Sequence, residues 1–546
     1  MGLTNPNAPD MERALSTPSD VEALISGAFY SYWRVTHRAY PDAALGSAAD
    51  SHSSGWGSWG MQEAGAEPRR AFNNDPAWGY NEMTEAPWRN AYAALTAVRD
   101  GLRAIEEGVT IRDGSGRDVT RRAVAFGKLV QALSLSTLAV FFDKAFVVDE
   151  TTDLEKIGLL GSQSRDSRDP PGWVPYQEVW AAAEMKYDEA IAEAQGADFT
   201  IPKAWVGNHR DWSAQDFVGF TRAFRARFRT QIPRTPAERA GADWHAVLAD
   251  LSGGLPFDFG GYYDGVGVGW WDRKKLHLAG INGFIRTDNR TLGPGDVSGA
   301  WKHWLVQPPH LKEPFEILTP DARITRPMEP TTDGTYFTYK GNSPFPVSYG
   351  IYHFSHYIDH RYNHLWEGGY VGFYPDFVEA EVDFLRAEAL YRTGNVSGAM
   401  AIVNRYRANG QLPPFTDPGL NPDGPDRCVP QMPDGSCGDL WEALKYEKRI
   451  ECFHHSFGVE FFDDRGWGDL VENTWIHLPA PGRELQILML EIYTFGGPDD
   501  PTAAPGGGVT PDILDDFSSR ALAVKRRALE RFREATEEPL DPGPPG

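Results

Sequence analysis

The stretch Phe377–Gly410, FVEAEVDFLRAEALYRTGNVSGAMAIVNRYRANG, decides the fold. Apolar and small residues recur at helical spacing on both sides of Thr393-Gly394-Asn395. That pattern predicts two helices, Pro375–Tyr391 and Val396–Arg407, joined by a tight turn.

Working outward, the pair predicted over 87–107 and 119–142 has the same character. Each pair reads as one tetratricopeptide-type unit, and such units stack so that neighbours share a core. Thr17-Pro18-Ser19-Asp20 reads as a helix start, followed by the stripe Val21, Leu24, Ile25, Ala28, Phe29, Tyr32 and Trp33. Further helical stripes run from Tyr176 to Ile191 and from Phe217 to Phe228. Residues 253–375 differ: they are rich in Gly, Pro, Trp and His, with short alternating pieces such as Tyr336-Phe337-Thr338-Tyr339. That region reads as loops and short strands. The fold class is therefore mainly α, with tetratricopeptide-like helix pairs and a loop-rich, short-strand half. Residues 1–495 form one expected unit, with its helical scaffold at 15–252 and 375–470. Residues 496–546 are expected to be a linker, a charged helix around 511–535 and a Pro/Gly tail.

Composition excludes several function classes. The net charge of −23 argues against nucleic acid, because phosphate binding needs a basic footprint. It also argues against docking on anionic lipid. The least polar run, Leu129–Phe142, is short of a membrane span and broken by Gln131, Ser134, Ser136 and Thr137. Met1-Gly2 resembles a myristoylation start, but Pro6 stands where Ser or Thr is required. No nucleophile elbow, Walker loop, dinucleotide fingerprint or HExxH occurs, so no enzymatic activity and no cofactor are expected. Cys428 and Cys437 bracket a Pro/Gly/Asp loop that a short disulfide would pin, while Cys452 reads as a buried thiol. His353, His356, His360 and His364 are spaced for one helix face, but they lie in strand-like sequence, and no metal site is expected.

What remains is an aromatic surplus of 18 Trp, 21 Tyr and 29 Phe, much of it in polar, Gly-rich sequence. An exposed ring offers a flat apolar face to the C–H patches of a sugar. Trp56, Trp59 and Trp78, with Tyr80 beside them, are the expected stacking platforms, and Asn73, Asn74 and Asp75 the hydroxyl partners. Trp270, Trp271 and Arg273 would complete the far side; Tyr262, Tyr263, Trp301 and Trp304 belong to the same second cluster.

Six stretches together resemble the SusD/RagB family of outer-membrane lipoproteins. They are LTNPNAPD with LSTPSDVEALISGAFYSYW, PWRNAYAALTAVRDGL, AVAFGKLVQALSLSTLAVFFDKAFVV, the opening stretch, LWEALKYEKRIECFHHSFGVEFFDDRGWGDL and HLPAPGRELQIL. Departures are Arg99 or Asp100 where the family has Asn, Glu460 where it has Arg, and Asp464 where it has Leu. The resemblance implies a cell-surface binder on the outer membrane whose loop-rich half binds the ligand, lipid-anchored in a precursor through a cysteine just before Leu3. It would cap a SusC-like TonB-dependent transporter and hand it oligosaccharide. A RagB-type peptide binder is the alternative; a helical glycosidase and a structural surface protein are further ones.

Overall fold

The computed structural model describes residues 15–37, 40–54, 58–154, 172–265, 269–270, 285–341, 355–455 and 458–506. Among the described residues nine longer helices carry the scaffold: α1 Pro18–Thr36, α2 Glu82–Glu106, α3 Thr120–Phe141, α4 Tyr176–Ala194, α5 Ala214–Gln231, α6 Glu379–Arg392, α7 Val396–Arg407, α8 Leu440–Glu451 and α9 Val459–Trp467. Helices α1 to α5 pack in sequence around α3, whose Leu129, Val130, Leu133 and Val140 are wholly buried. By length and composition α3 is apolar enough to cross a membrane, yet the apolar window is 89% buried inside the protein, so it is the core helix. Two of its buried hydroxyls are satisfied locally: Ser136 and Thr137 donate back to Ala132 O and Leu133 O at 2.7 and 2.8 Å.

The helix pair that opened the sequence reading is α6–α7. Its first helix starts at Glu379 rather than Pro375, because 371–377 forms a strand. Proline favours an extended residue before it and cannot donate to a helix, so the chain turns helical only after the bulge between Pro375 and Phe377. Gly394 takes φ +89° in the turn, and the Asn395 side chain accepts the Gly398 N–H to start α7. Asn404 grips Phe415 through both its N–H and its carbonyl, and Arg407 donates to Pro413 O and Val429 O. The C-terminal end of α7 thereby holds the returning chain.

A buried ion network ties α6 to its neighbours. Arg239 makes a two-pronged contact with Glu388 at 2.8 and 2.6 Å and reaches Asp463 at 2.8 Å. Lys448 completes the far side of Asp463 at 2.7 Å. Two helical turns earlier on α6, Glu381 pairs with Arg227. Arg465 has no carboxylate; it donates to Val140 O, Ile476 O and Gln231 O, closing the C-terminal ends of α3 and α5.

Smaller cores lie under the loop-rich half, one of them around Ile317, Phe337, Tyr357 and Phe453. Its strands are short, two-stranded and antiparallel. Two are labelled here: β1, Phe259–Asp264, and β2, Val371–Phe377. A disulfide joins Cys428 to Cys437, and Cys452 is buried. One expectation is corrected at the C-terminal side. Residues 496–506, read as the start of a linker, pack on 471–475: Ala504 is 6% exposed and exchanges backbone hydrogen bonds with Asn473 and Thr474. The glycines there serve close approach to Trp475 and Glu472 rather than looseness. The charged helix around 511–535 and the tail lie outside the described residues.

Candidate functional site

The sequence-predicted residues separate into three groups. Trp56, Trp271 and Arg273 lie outside the described residues. Asn73 and Asp75 are exposed and, with Ile492 and Thr494, line an open groove of about 390 Å³. Both also brace their own turn, accepting the N–H groups of Asp75 and Ala77. Trp78 is half-buried, meeting Phe72 and Tyr80 edge-on at 5.7 and 5.6 Å. Trp59 is half-buried against Ala43, Met61 and Ile285.

One expectation is overturned, and Trp270 is half-buried like Trp59 and Trp78. Asn74 is 6% exposed and spends its amide on the chain itself: it donates to Ala480 O and Tyr493 O and accepts from Gly482 N. Trp270 packs against α1, 5.0 Å from Tyr30 and 5.7 Å from Trp33. A Cβ on Gly207 would collide with its ring. Trp301 and Trp304 are buried, at 4% and 2% exposure. Trp270 and Trp301 fill space that missing side chains on Gly207 and Gly293 leave.

A different aromatic surface faces solvent. Strands β1 and β2 pair antiparallel with Tyr262 opposite Phe373 and Asp264 opposite Val371. Alternation then divides the ribbon. Tyr263 and Tyr374 point inward and stack at 5.9 Å, while Tyr262 and Val371 point outward at 46% and 52% exposure. Phe373 is half-buried beside Tyr262, with His209 edge-on to it at 4.6 Å. Arg210 lies 3.3 Å over the Phe257 ring, next along the same face. Burial and then the Arg210 charge lower the His209 pKa, so its imidazole is the more firmly neutral at pH 7. On the inward side of the ribbon, where Leu365 packs with Tyr263 and Tyr374, Trp366 is 40% exposed and meets Tyr370 edge-on at 5.4 Å. Tyr370 holds φ +62° and places Val371 in the ribbon; its carbonyl accepts the Gly265 N–H.

The helical turn Asn363–Glu367 that presents Trp366 lies in the His-rich run read as strand. The run splits there: His360 bonds Thr338, His356 sits against Tyr339 at 3.4 Å, and His353 lies outside the described residues. Among the described residues no group of three His, Cys, Asp or Glu is placed to hold a metal ion.

No family model matches the sequence, and no curated protein matches it. Solved structures do. A SusD superfamily protein from Parabacteroides distasonis is similar over 86% of this chain and 97% of its own, with a TM-score of 0.52 at 13% identity. A SusD homolog from the same species covers 82% of this chain and 84% of its own, with a TM-score of 0.50 at 13% identity. The chain has the SusD-like fold. Within that fold the outward face of the ribbon joins rings in Tyr262 and Phe373 with a donor in Arg210 and an acceptor in Asp264. Trp366 stands apart, on the turn whose Leu365 packs with Tyr263 and Tyr374 behind the ribbon. Of the outward residues only Tyr262 stood in the second aromatic cluster of the sequence; Phe373 and His209 did not.

Proposed function

We propose that the protein is a non-enzymatic glycan binder on the cell surface, lipid-anchored to the outer membrane in its precursor form. It would capture oligosaccharide and pass it to a SusC-like TonB-dependent transporter. The exposed aromatic face of the β1–β2 ribbon carries this reading, and the SusD-like fold supports it. A row of rings separated by polar groups suits a repeating polyol whose faces are apolar and whose rims are hydroxylated. Rings with few rotors lose little entropy on binding. A peptide would instead pair with a strand edge, and at Tyr262 that edge is taken, because its N–H donates to Gly207 O at 2.7 Å.

The test is affinity electrophoresis through gels containing mixed polysaccharides, with a reducing-end assay on the same mixtures. Retardation without sugar release is expected. Tyr262→Ala and Phe373→Ala should each weaken binding by roughly 1–2 kcal/mol, about 5- to 30-fold. Full retardation of both variants would remove the ribbon as the site, and release abolished by a single carboxylate substitution would make the protein a glycosidase. Co-purification with a transporter barrel from solubilised outer membranes tests the partner.

A further inference from the structure

An open groove of about 590 Å³ lies between α2 and the short helix Gly482–Ile487, and it shares no residue with the ribbon face. Its α2 wall is one helical stripe, Glu85, Trp88, Tyr92 and Thr96, about 16 Å long. Ile487 on the facing wall is 69% exposed, and Leu154 on the same lining is 38% exposed. Apolar surface gathered on one groove marks a place that something covers. The lining also keeps one carboxylate over. Arg483 lies 3.5 Å from Glu85, and Arg89 is spent on Glu82 at 2.8 Å, outside the groove. Glu484 has no ion pair among the described residues, and burial raises its pKa.

The chain carries a complementary segment of its own. In 511–535, PDILDDFSSRALAVKRRALERFREA, the residues Leu514, Phe517, Ala521, Val524, Ala528 and Phe532 recur at helical spacing. On a period of 3.6 they fall within about 80° of one another, an apolar stripe with no partner inside the segment. Leu514 to Val524 would measure about 15 Å as a helix, which matches the α2 stripe. Its charge matches as well: 520–533 holds six Arg and Lys against Glu530 alone, in a chain of net charge −23. The segment also begins within reach. Ala504 exchanges backbone hydrogen bonds with Asn473 and Thr474, and Pro481 on the groove follows Thr474 by few enough residues to stand at most about 25 Å away. The chain from Ala504 to Phe517 can span about 45 Å. Such a tether holds the segment at roughly millimolar effective concentration.

We propose that residues 511–535 dock as an amphipathic helix in the groove between α2 and the 482–487 helix, with Phe517 against Ile487 and basic side chains toward Glu484. A helix laid into an apolar groove covers both apolar surfaces at once. This reading stands whether or not the ribbon binds glycan.

Disulfide trapping in the full chain tests it. Ile487→Cys with Phe517→Cys should close a bond within one molecule under mild oxidation, seen as a faster-running monomer on a non-reducing gel. Met185→Cys with Phe517→Cys should not, because Met185 is 62% exposed on α4 and does not line the groove. Trypsin gives a second readout: cleavage after Lys525, Arg526 and Arg527 should be about tenfold faster in Ile487→Asp than in the parent. Thermal melts confirm that the variants are folded; if Ile487→Asp is not, the cysteine pairs decide. A cross-linked dimer would assign the groove to a second copy. That result, absence of the cross-link, equal cross-linking of both pairs, or equal cleavage of parent and folded variant each overturns the proposal.

Discussion

Gly207 and Trp270 show why tryptophan in glycine-rich sequence misleads. The indole occupies the volume that a side chain at Gly207 would need, and Trp301 does the same over Gly293. Glycine and tryptophan are complementary in volume, so their co-occurrence signals packing as readily as exposure. This is why the sequence does not tell the packing roles of Trp270 and Trp301 from exposure. Replacing Gly207 by alanine should cost about 2 kcal/mol or more, since it adds a collision to a backbone held at φ +62°. A lowered melting temperature checks this. Asn74 makes the contrasting case. Its three hydrogen bonds fix the chain ends at 480–482 and 493 beside 74, so Asn74→Ala should lose roughly 2–3 kcal/mol in urea unfolding. Retardation of the folded variant in polysaccharide gels should match the parent.

At the level of elements, the motif positions were the most legible, and the reason is chemical. Glu388, Asn404, Arg407, Asp463 and Arg465 each hold a specific partner across helices, so their types are fixed and readable. Boundaries were less so: α6 starts late because Pro375 keeps the preceding chain extended. Glu460 and Asp464, the departures from the resembling pattern, are both built into polar surroundings. Glu460 accepts the His454 N–H, and Asp464 pairs with Arg449. The α6 network also predicts a pH response. Burial alone would raise the Glu388 pKa, but the Arg239 charge and hydrogen bonds hold it down to about 2, against an ordinary 4.5. A depressed carboxyl contributes stability above its unfolded pKa and loses it as the pH falls through the folded one. Stability should therefore decline between about pH 4.5 and 2, with about 3 kcal/mol traceable to this group. Denaturant unfolding at stepped pH checks it, and Glu388→Gln should flatten that part of the profile. The Cys428–Cys437 loop offers a separate test. Replacing both cysteines by serine should lower stability by about 2–3 kcal/mol, as expected for releasing a short loop.

For the whole molecule, the helical class and the loop-rich half were both visible in periodicity, because long amphipathic helices repeat their signal over several turns. The proposed ligand face was not. It is assembled from β1, β2 and the 207–210 turn, and no local window holds more than one of these. The C-terminal edge was misplaced for a related reason: Gly and Pro at 496–506 read as looseness, although that segment is pinned by long-range backbone bonds. A chain ended after 495 should melt below one ended after 506, because it forfeits the Ala504 bonds and leaves Trp475 uncovered. The split origin of the ribbon has one more consequence. Tyr262 and Phe373 become neighbours only when two distant parts of the chain have both docked, so a half-folded molecule has no platform to offer. Sugar occupancy would then certify a completed topology, and a saturating glycan should delay unfolding of the entire protein instead of merely stiffening one loop.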